Sequence, residues 1–423
     1  MIGVGIDISK NKSTVSAIDD TGEIIMKPQE FKHSQNELNK LIQWIKDQED
    51  TVFVVMESTG HYHYPVLKKL YEEGIYVSVV NAYLMKKYGD IEIRKAKTDR
   101  KDAIRIAKYA IEKRFSLKKY EGEDEKYNDL KFLSRQYNQI VSIRVKAKIQ
   151  FNNLLDEIMP GINKILTRTT GNSSKILYDF VEKYEHFDNI KRKGEQKFIK
   201  EYSAWSKKKG YRNGAIKALK IYELAQNSIT TRSANNSTYI ALRNCIKILR
   251  ETEESSNSIL TQMQTIAYTL PEYKIVRELK GVGDKLAPRL IAEIGDVRKF
   301  TSAKALNAYA GNDAPPHQSG QFEGTKRHIS IPLIFCLTPP HQSGQFEGTK
   351  RHISKRGSSS LRKVGYEIMM ALKVTKPTED NAVYEFMIKK ESEGKAKNVA
   401  KMAALNKFLR IYYTRVMNLY KTL

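Results

Sequence analysis

Over the first 120 residues, short apolar runs alternate with amphipathic stretches. Apolar runs rich in β-branched residues predict five strands, at Ile2–Ser9, Thr14–Ile18, Glu23–Met26, Thr51–Met56 and Ile75–Val80. Apolar residues at helical spacing predict three helices, at Asn36–Lys46, Tyr64–Glu73 and Thr98–Lys113. Consecutive strands followed by alternating strands and helices predict an α/β domain over residues 1–120.

The pattern changes to long helices between residues 121 and 270. One helix repeats apolar residues from Leu130 to Val145 and continues to Ile158, where Pro160-Gly161 ends it. A second helix is predicted from Tyr239 to Leu270, and the two helices together predict a coiled-coil arm. The segment between them, about 165–235, is basic and too weakly patterned to predict a role.

A mainly helical C-terminal domain is predicted over residues 271–390, followed by a basic helix over 391–423. Its loop-rich middle contains the sequence PPHQSGQFEGTKRHIS at 315–330 and again, identically, at 339–354. Structural repeats diverge and usually occur three or more times. We therefore interpret the pair as a recent duplication, offset by 24 residues, that lengthens one loop.

The charge balance indicates a polyanionic partner. Lysine and arginine number 73 against 48 acidic residues, a formal net charge of +25, and neutralising phosphates releases counterions. No apolar run has the length of a membrane span, and the N-terminal sequence lacks the pattern of a secretory signal. Two cysteines exclude a disulfide framework and a four-thiolate zinc site. These features predict a cytoplasmic, nucleic-acid-binding protein without a membrane partner.

Four carboxylates stand at the ends of predicted elements. Asp7 lies on the opposite sheet face from its apolar neighbours, and Glu57 directly follows the strand TVFVVM. Asp99 and Asp102 are three residues apart at the start of a helix, so they share one face. Phosphodiester chemistry needs such a set, because hard oxygen ligands must hold two divalent cations about 3.5–4 Å apart. Taken singly, each acid also fits a solvated strand end or a favourable position at a helix N-terminus.

The segments that hold these acids, GIDISK, MESTGHYH and KTDRKDA, resemble the DEDD transposase pattern of the insertion-sequence family whose members use a bridge RNA. The resemblance implies an N-terminal domain of the ribonuclease H fold in its RuvC form. It also implies the metal ligands, which are Asp7, Glu57, Asp99 and Asp102, with Mg²⁺ (or Mn²⁺) as the ion. His61 and His63 are too few to indicate zinc, and we interpret them as packing or substrate contacts.

A second resemblance lies in the C-terminal half. The sequence ELKGVGDKLAPRLIAEIGD at 278–296 resembles a helix–hairpin–helix, in which Gly281 and Gly283 permit a tight turn. In such a motif the amides at the start of the next helix can bind phosphate, and we predict that Lys285 adds to this contact. A simple interhelical turn is the alternative meaning of the two glycines.

Downstream, FTSAKALNAYAG, HQSGQ and HISKRGSSSLRK resemble the C-terminal transposase domain of the same family. The resemblance implies that a serine in the QSG position attacks DNA and forms a phosphoserine link. The candidate phosphate-binding cations are Lys355, Arg356 and Arg362. Because of the duplication, two serines qualify. Ser319 keeps the spacing from AYAG, whereas Ser343 keeps the spacing to KRGSSSLRK, and the basic residues after it favour Ser343.

The sequence thus predicts a prokaryotic, nucleoid-associated transposase, a site-specific recombinase that cuts and rejoins double-stranded DNA. The resemblance implies guidance by a structured bridge RNA. Since a recombinase holds two duplexes at once, we expect a dimer or tetramer. Two alternatives stay open: a metal-dependent endonuclease of the Holliday-junction type, which needs no serine, and a catalytically dead nucleic-acid-binding copy disabled by the duplication.

Overall fold

The computed structural model describes residues 1–58, 60–89, 98–122, 124–166, 174–212, 214–313, 318–319, 322–323 and 353–423. The chain divides into two compact units, Met1–Glu123 and Asp124–Leu423. Among the described residues, no helix combines the length and the apolar character needed to cross a membrane.

The first unit is built on a five-stranded sheet with the order β3-β2-β1-β4-β5. Its strands are β1 (Ile2–Ile8), β2 (Lys12–Asp19), β3 (Ile24–Lys32), β4 (Val52–Ser58) and β5 (Val77–Asn81). The first three strands pair antiparallel, and β4 and β5 continue the sheet parallel to β1. This mixed sheet confirms the predicted α/β character of the N-terminal region.

Helices cover both faces of the sheet. They are α1 (Gln35–Lys46), α2 (Tyr64–Glu72), α3 (Ala82–Gly89) and α4 (Asp99–Glu112). One face buries Val4 and Ile6 against apolar residues of α1 and α2, and the other face packs against α4. The hydrophobic pattern does not predict α3, because only Met85 of that short helix is buried.

The second unit contains two long helices, α5 (Glu125–Ile158) and α11 (Asn236–Tyr268), and the described residues between them form five shorter helices. Side-chain caps from Asp124 and Asn235 fix where each long helix begins. The start of α5 packs against the end of α11, and the end of α5 packs near the start of α11, so the pair is antiparallel. The two predicted long helices are therefore confirmed, while their supercoiling as a coiled coil stays a prediction.

The intervening segment folds into a small helical module. Its helices are α6 (Ile162–Leu166), α7 (Ser174–Tyr184), α8 (Phe187–Lys193), α9 (Glu195–Lys208) and α10 (Gly214–Asn227). Its core is aromatic, with Phe180, Tyr184, Phe198 and Tyr202 all buried. Sequence periodicity missed this module because its core residues are distributed over several short helices rather than one long repeat.

The C-terminal part packs around a further apolar core, to which the start of α5 and the end of α11 also contribute. Its helices are α12 (Tyr273–Glu278), α13 (Ala287–Ile294), α14 (Ala303–Tyr309), α15 (Ser359–Thr375), α16 (Ala382–Ser392) and α17 (Lys397–Thr422). Two antiparallel strands of two residues each, β6 (Gln318–Ser319) and β7 (Phe322–Glu323), lie between α14 and α15 in the sequence. Phe408, Leu409 and Tyr412 of α17 are buried, so the last helix forms part of the core.

Candidate active site

Asp7 and Glu57 occupy neighbouring positions at the same edge of the sheet. The parallel pairing of β1 with β4 ends at Ile6 and Met56, and the next residue on each strand is one of these acids. Both acids are half-buried. Strand alternation places Glu57 on the same face as Val55, which packs against α4.

Two glycines bring α4 unusually close to β1. A Cβ atom on Gly5 would lie 2.3 Å from the carbonyl oxygen of Ala103, and one on Gly3 would lie 2.6 Å from that of Ala107. As β1 advances by two residues, the contact on α4 moves back by one turn, so strand and helix are antiparallel. One further step takes Asp7 toward the first turn of α4, because two strand residues and one helical turn cover similar distances of about 6 Å. This glycine alternation was a sequence signal for the close approach.

The first turn of α4 carries the other two acids. Thr98 caps the helix by accepting a hydrogen bond from the Lys101 amide at 3.3 Å. Asp99 is exposed, whereas Asp102 is largely buried and accepts a hydrogen bond from Arg105 at 2.6 Å. Acids in the first turn also stabilise the helix through its dipole, so Asp102 stabilises α4 itself.

Asp7 and Glu57 form the acidic edge of the sheet, and Asp99 and Asp102 form a second acidic pair on the first turn of α4. In the described part of the chain, no three His, Cys, Asp or Glu side chains lie close enough together to hold a metal ion. His61 and His63 follow β4. His63 is buried with its ring stacked on Tyr64 at 4.4 Å, and His61 is exposed with its ring against Tyr62.

The two glycines of the predicted helix–hairpin–helix occupy different surroundings. Gly281 has a positive φ of 84°, and a Cβ there would lie 2.6 Å from the side chain of Leu372 on α15. Gly281 is therefore required where the turn packs against the core. Gly283 faces open space, and Lys285 is exposed beside it. Phosphate binding by this turn stays a prediction.

The segment that carries the candidate serines begins and ends at one hydrogen-bonded base. The Ser354 amide donates to the Asp313 carbonyl at 2.9 Å, and the Ser354 hydroxyl donates to the Asp313 carboxylate. The amides of Lys355 and Ser358 donate to carbonyls of Gly311 and Tyr309 at 3.1 and 2.7 Å. This base joins residues far apart in sequence, and sequence analysis did not predict it. Ser319 belongs to β6, opposite Phe322, and Ser343 lies outside the described residues.

The three predicted cations divide into two kinds. Arg362 is half-buried, and its Nη1 donates to the Ala310 carbonyl at 2.8 Å and to the Gly357 carbonyl at 3.2 Å. Its burial lowers the pKa of the guanidinium. Lys355 and Arg356 are exposed at the same base. Arg362 therefore stabilises the loop base, and phosphate binding by Lys355 and Arg356 stays a prediction.

Comparison with known proteins gives matches in both halves of the chain. Residues 4–160 match a family model described as a transposase of the DEDD, IS110 type, and residues 273–331 match one described as transposase, IS116/IS110/IS902 family. The chain is 22% identical over 324 residues to a 44.8 kDa protein of insertion element IS116 from Streptomyces clavuligerus, covering 76% of this chain and 78% of that one. It is 19% identical over 317 residues to a 43.6 kDa protein of insertion element IS110 from Streptomyces coelicolor, covering 75% and 76%.

A solved structure of T. thermophilus RuvC in complex with Holliday junction substrate also matches. The match covers 28% of this chain and 99% of that one at 14% identity. Its TM-score of 0.22 is too low for the likeness to bear on fold or function.

Proposed function

Because the chain belongs to the IS116/IS110/IS902 family of transposases, enzymes that cut and rejoin DNA, we propose that it acts through a divalent-metal site and a serine nucleophile. The observation that carries this proposal is the shared position of Asp7 and Glu57, side by side on the face that α4 covers. The first turn of α4, with Asp99 and Asp102, lies in the direction in which β1 continues.

The donor set fits magnesium or manganese. Mg²⁺ prefers oxygen ligands and is usually held by one or two carboxylates together with substrate phosphates. An acidic edge that is not a closed shell fits a site that a DNA phosphate completes. A bound pair of ions would supply charge stabilisation at the attacking and leaving oxygens. Arg105 holds the Asp102 carboxylate against α4, which limits the conformations that this ligand must give up on binding.

The serine contributes the covalent step of the proposal. Its hydroxyl oxygen forms a bond to a DNA phosphorus, and one phosphodiester P–O bond breaks. The proton lost by the serine is passed to solvent, and the leaving DNA oxygen takes up a proton from solvent and departs as a hydroxyl. A second DNA hydroxyl then attacks the phosphoserine and restores the serine, so the strand is rejoined without an external energy source. The loop base between Asp313 and Ser354 supports this role, because it anchors the serine segment to the folded domain.

Partners follow from charge and from the reaction. The net charge of +25 favours DNA and a structured bridge RNA, held mainly through phosphates and duplex shape. Joining two DNA sites requires two bound duplexes, for which a symmetric dimer or tetramer is the simplest assembly.

The test is covalent trapping on a denaturing gel, with donor-junction DNA, the RNA of the element and Mg²⁺. The variants are Asp7→Asn, Ser319→Ala, Ser343→Ala and a deletion of residues 315–338, which removes one copy of the repeat. Asp20→Asn is the matched control, since Asp20 is an exposed acid in the turn after β2. Binding of Mn²⁺, followed by electron paramagnetic resonance, reports on the metal site independently of activity.

We expect a protein–DNA adduct that disappears in Asp7→Asn and in one serine variant, with Mn²⁺ binding lost only in Asp7→Asn. An adduct from the deletion variant alone would identify a copy that the duplication disables. Cut DNA without any adduct would replace the serine mechanism with hydrolysis by the metal site. Binding without cleavage by either length of chain would identify a binding protein only.

A further inference from the structure

A cleft lies between the end of α11 and the turn that joins α12 to α13. Its volume is about 600 Å³, within the range of small-ligand sites. The residues that line it are Tyr268, Leu270, Pro271, Tyr273, Lys274, Arg277, Glu278 and Asp284. None of them belongs to the acidic edge or to the serine segment, so the cleft is a separate feature of the second unit.

An exposed aromatic ring forms one wall of this cleft. Tyr268 is 65% exposed although it lies at the end of a long, well-packed helix. Its ring contacts the ring of Tyr273, with centroids 4.5 Å apart and an angle of 51° between the planes. Tyr273 is only 6% exposed, so a buried residue fixes the exposed ring from behind. Tyr268 thus offers an exposed ring on which a second flat ring can stack.

The positive and negative charges of the residues that line the cleft are equal in number. Arg277 forms an ion pair with Asp284, and Lys274 stands with Glu278 on the exposed side of α12. Gln264 donates to the Asp284 carbonyl at 3.0 Å, which ties the turn to α11. A cleft without excess charge is a poor phosphate site. It suits a flat, neutral ring with hydrogen-bonding edges.

Positive charge is available immediately outside the cleft. Lys280 and Lys285 are exposed on the turn that forms its border. A nucleic-acid strand that places its phosphates along these lysines can turn one base into the cleft. Stacking on an aromatic ring is how proteins commonly bind unpaired bases, and it tolerates any sequence because every base has a π-face.

We propose that this cleft binds one unpaired nucleobase, stacked on Tyr268, of a nucleic-acid strand that follows the α12–α13 turn. The proposal rests on the proposed function for the presence of nucleic acid, but it names a site that neither the metal ligands nor the serine provides. Base unpairing accompanies strand exchange, and a platform for a displaced base would stabilise the opened strand.

The experiment measures equilibrium binding of the full chain to a single-stranded DNA of about 12 nucleotides, to RNA of the same sequence, and to the DNA duplex. A 2-aminopurine in each strand reports stacking by its fluorescence. The variants are Tyr268→Ala and Tyr268→Phe. The matched control is Phe132→Ala, which removes a ring that is 62% exposed on α5, outside the cleft. Circular dichroism melting checks that each variant folds.

We expect Tyr268→Ala to weaken single-strand binding by about tenfold, within the range found for loss of one base stack. Tyr268→Phe and Phe132→Ala should stay within about twofold, and the salt dependence of Tyr268→Ala should not change, because no phosphate contact is lost. The preferred strand, DNA or RNA, identifies the source of the base.

Three results would overturn the proposal: unchanged binding by Tyr268→Ala, equal loss in Phe132→Ala, or failure of the unaltered chain to bind either single strand. If the unaltered chain still forms the DNA adduct, only the stacking site is refuted and the proposed function stands. If it binds neither duplex nor single strand, the proposed function fails as well.

Discussion

The substitution Gly5→Ala tests whether the close approach of α4 to β1 brings Asp99 and Asp102 to the acidic edge. Its new Cβ would lie 2.2 Å from the Ala107 amide nitrogen and 2.3 Å from the Ala103 carbonyl oxygen. Favourable separations between non-bonded atoms begin near about 3.5 Å, so α4 must move away by about 1 Å. Both contacted atoms belong to the backbone, so no side-chain rotation relieves the clash. We expect the free energy of unfolding to fall by about 3 kcal/mol, the upper part of the usual range for overpacking.

The same displacement should also damage the site. A shift of about 1 Å in reacting groups costs on the order of 100-fold in rate, so adduct formation should fall by at least that factor and Mn²⁺ affinity should drop. Equilibrium urea unfolding and metal titration measure the two effects. Gly74→Ala is the control, because Gly74 has a positive φ of 74° but open space around it. It should cost about 1–2 kcal/mol from backbone strain and leave Mn²⁺ affinity intact. If the free energy of unfolding of Gly5→Ala lay within about 1 kcal/mol of that of the unaltered chain, the reasoning would be refuted.

Three further predictions concern the second unit. Gly281→Ala should lower the thermal midpoint because its Cβ meets Leu372, while Gly283→Ala, in open space, should leave the midpoint unchanged in calorimetry. Arg362→Met should cost about 1–3 kcal/mol in urea unfolding, because two carbonyl acceptors at the loop base lose their donor. Lys355→Gln, at an exposed lysine of the same loop base, should instead leave stability unchanged and reduce the salt slope of DNA binding by about 1. Deleting residues 315–338 should change the free energy of unfolding by less than about 1 kcal/mol, since closure entropy varies only slowly with loop length. A larger change would show that the duplicated segment packs on the domain.

The N-terminal sheet was predictable because its signals are local. Strand alternation around Asp7, the apolar run before Glu57 and the i,i+3 spacing of Asp99 and Asp102 each depend on neighbouring residues. The close approach of α4 to the strand that carries Asp7 was also partly predictable from the sequence. Parallel strands β1 and β4 place their following residues at the same edge, and Gly3 and Gly5 mark where a helix crosses the sheet closely.

The remaining features depend on contacts between distant residues. Tyr184 and Tyr202 form an aromatic core from separate short helices, which no single window of periodicity reveals. The pairing of Asp313 with Ser354 joins positions 41 residues apart. Arg362 is half-buried because it bonds to the loop base between Asp313 and Ser354. The sequence shows only its positive charge, and that charge suggested a phosphate contact. Local sequence patterns therefore predicted the strands, the long helices and the four candidate acids. The loop base and the helical module could be identified only from the tertiary structure.

The loop base also bears on which serine reacts. Asp313 pairs with Ser354, at the end of the second copy of the repeat, and the residues that follow Ser354 bond to Gly311 and Tyr309.

The loop base has two ends, Asp313 and Ser354, and the duplication separates each candidate serine from one of them. Ser319 lies six residues after Asp313, and Ser343 lies eleven residues before Ser354. At about 3.3 Å per residue, the tethers extend to at most about 20 Å and about 36 Å. The shorter tether favours Ser319, whereas the basic residues downstream favour Ser343. Deleting residues 315–338 gives a single serine both spacings at once. If the effective concentration of the serine hydroxyl at the DNA phosphate limits the reaction, that variant should form the adduct faster than the full chain.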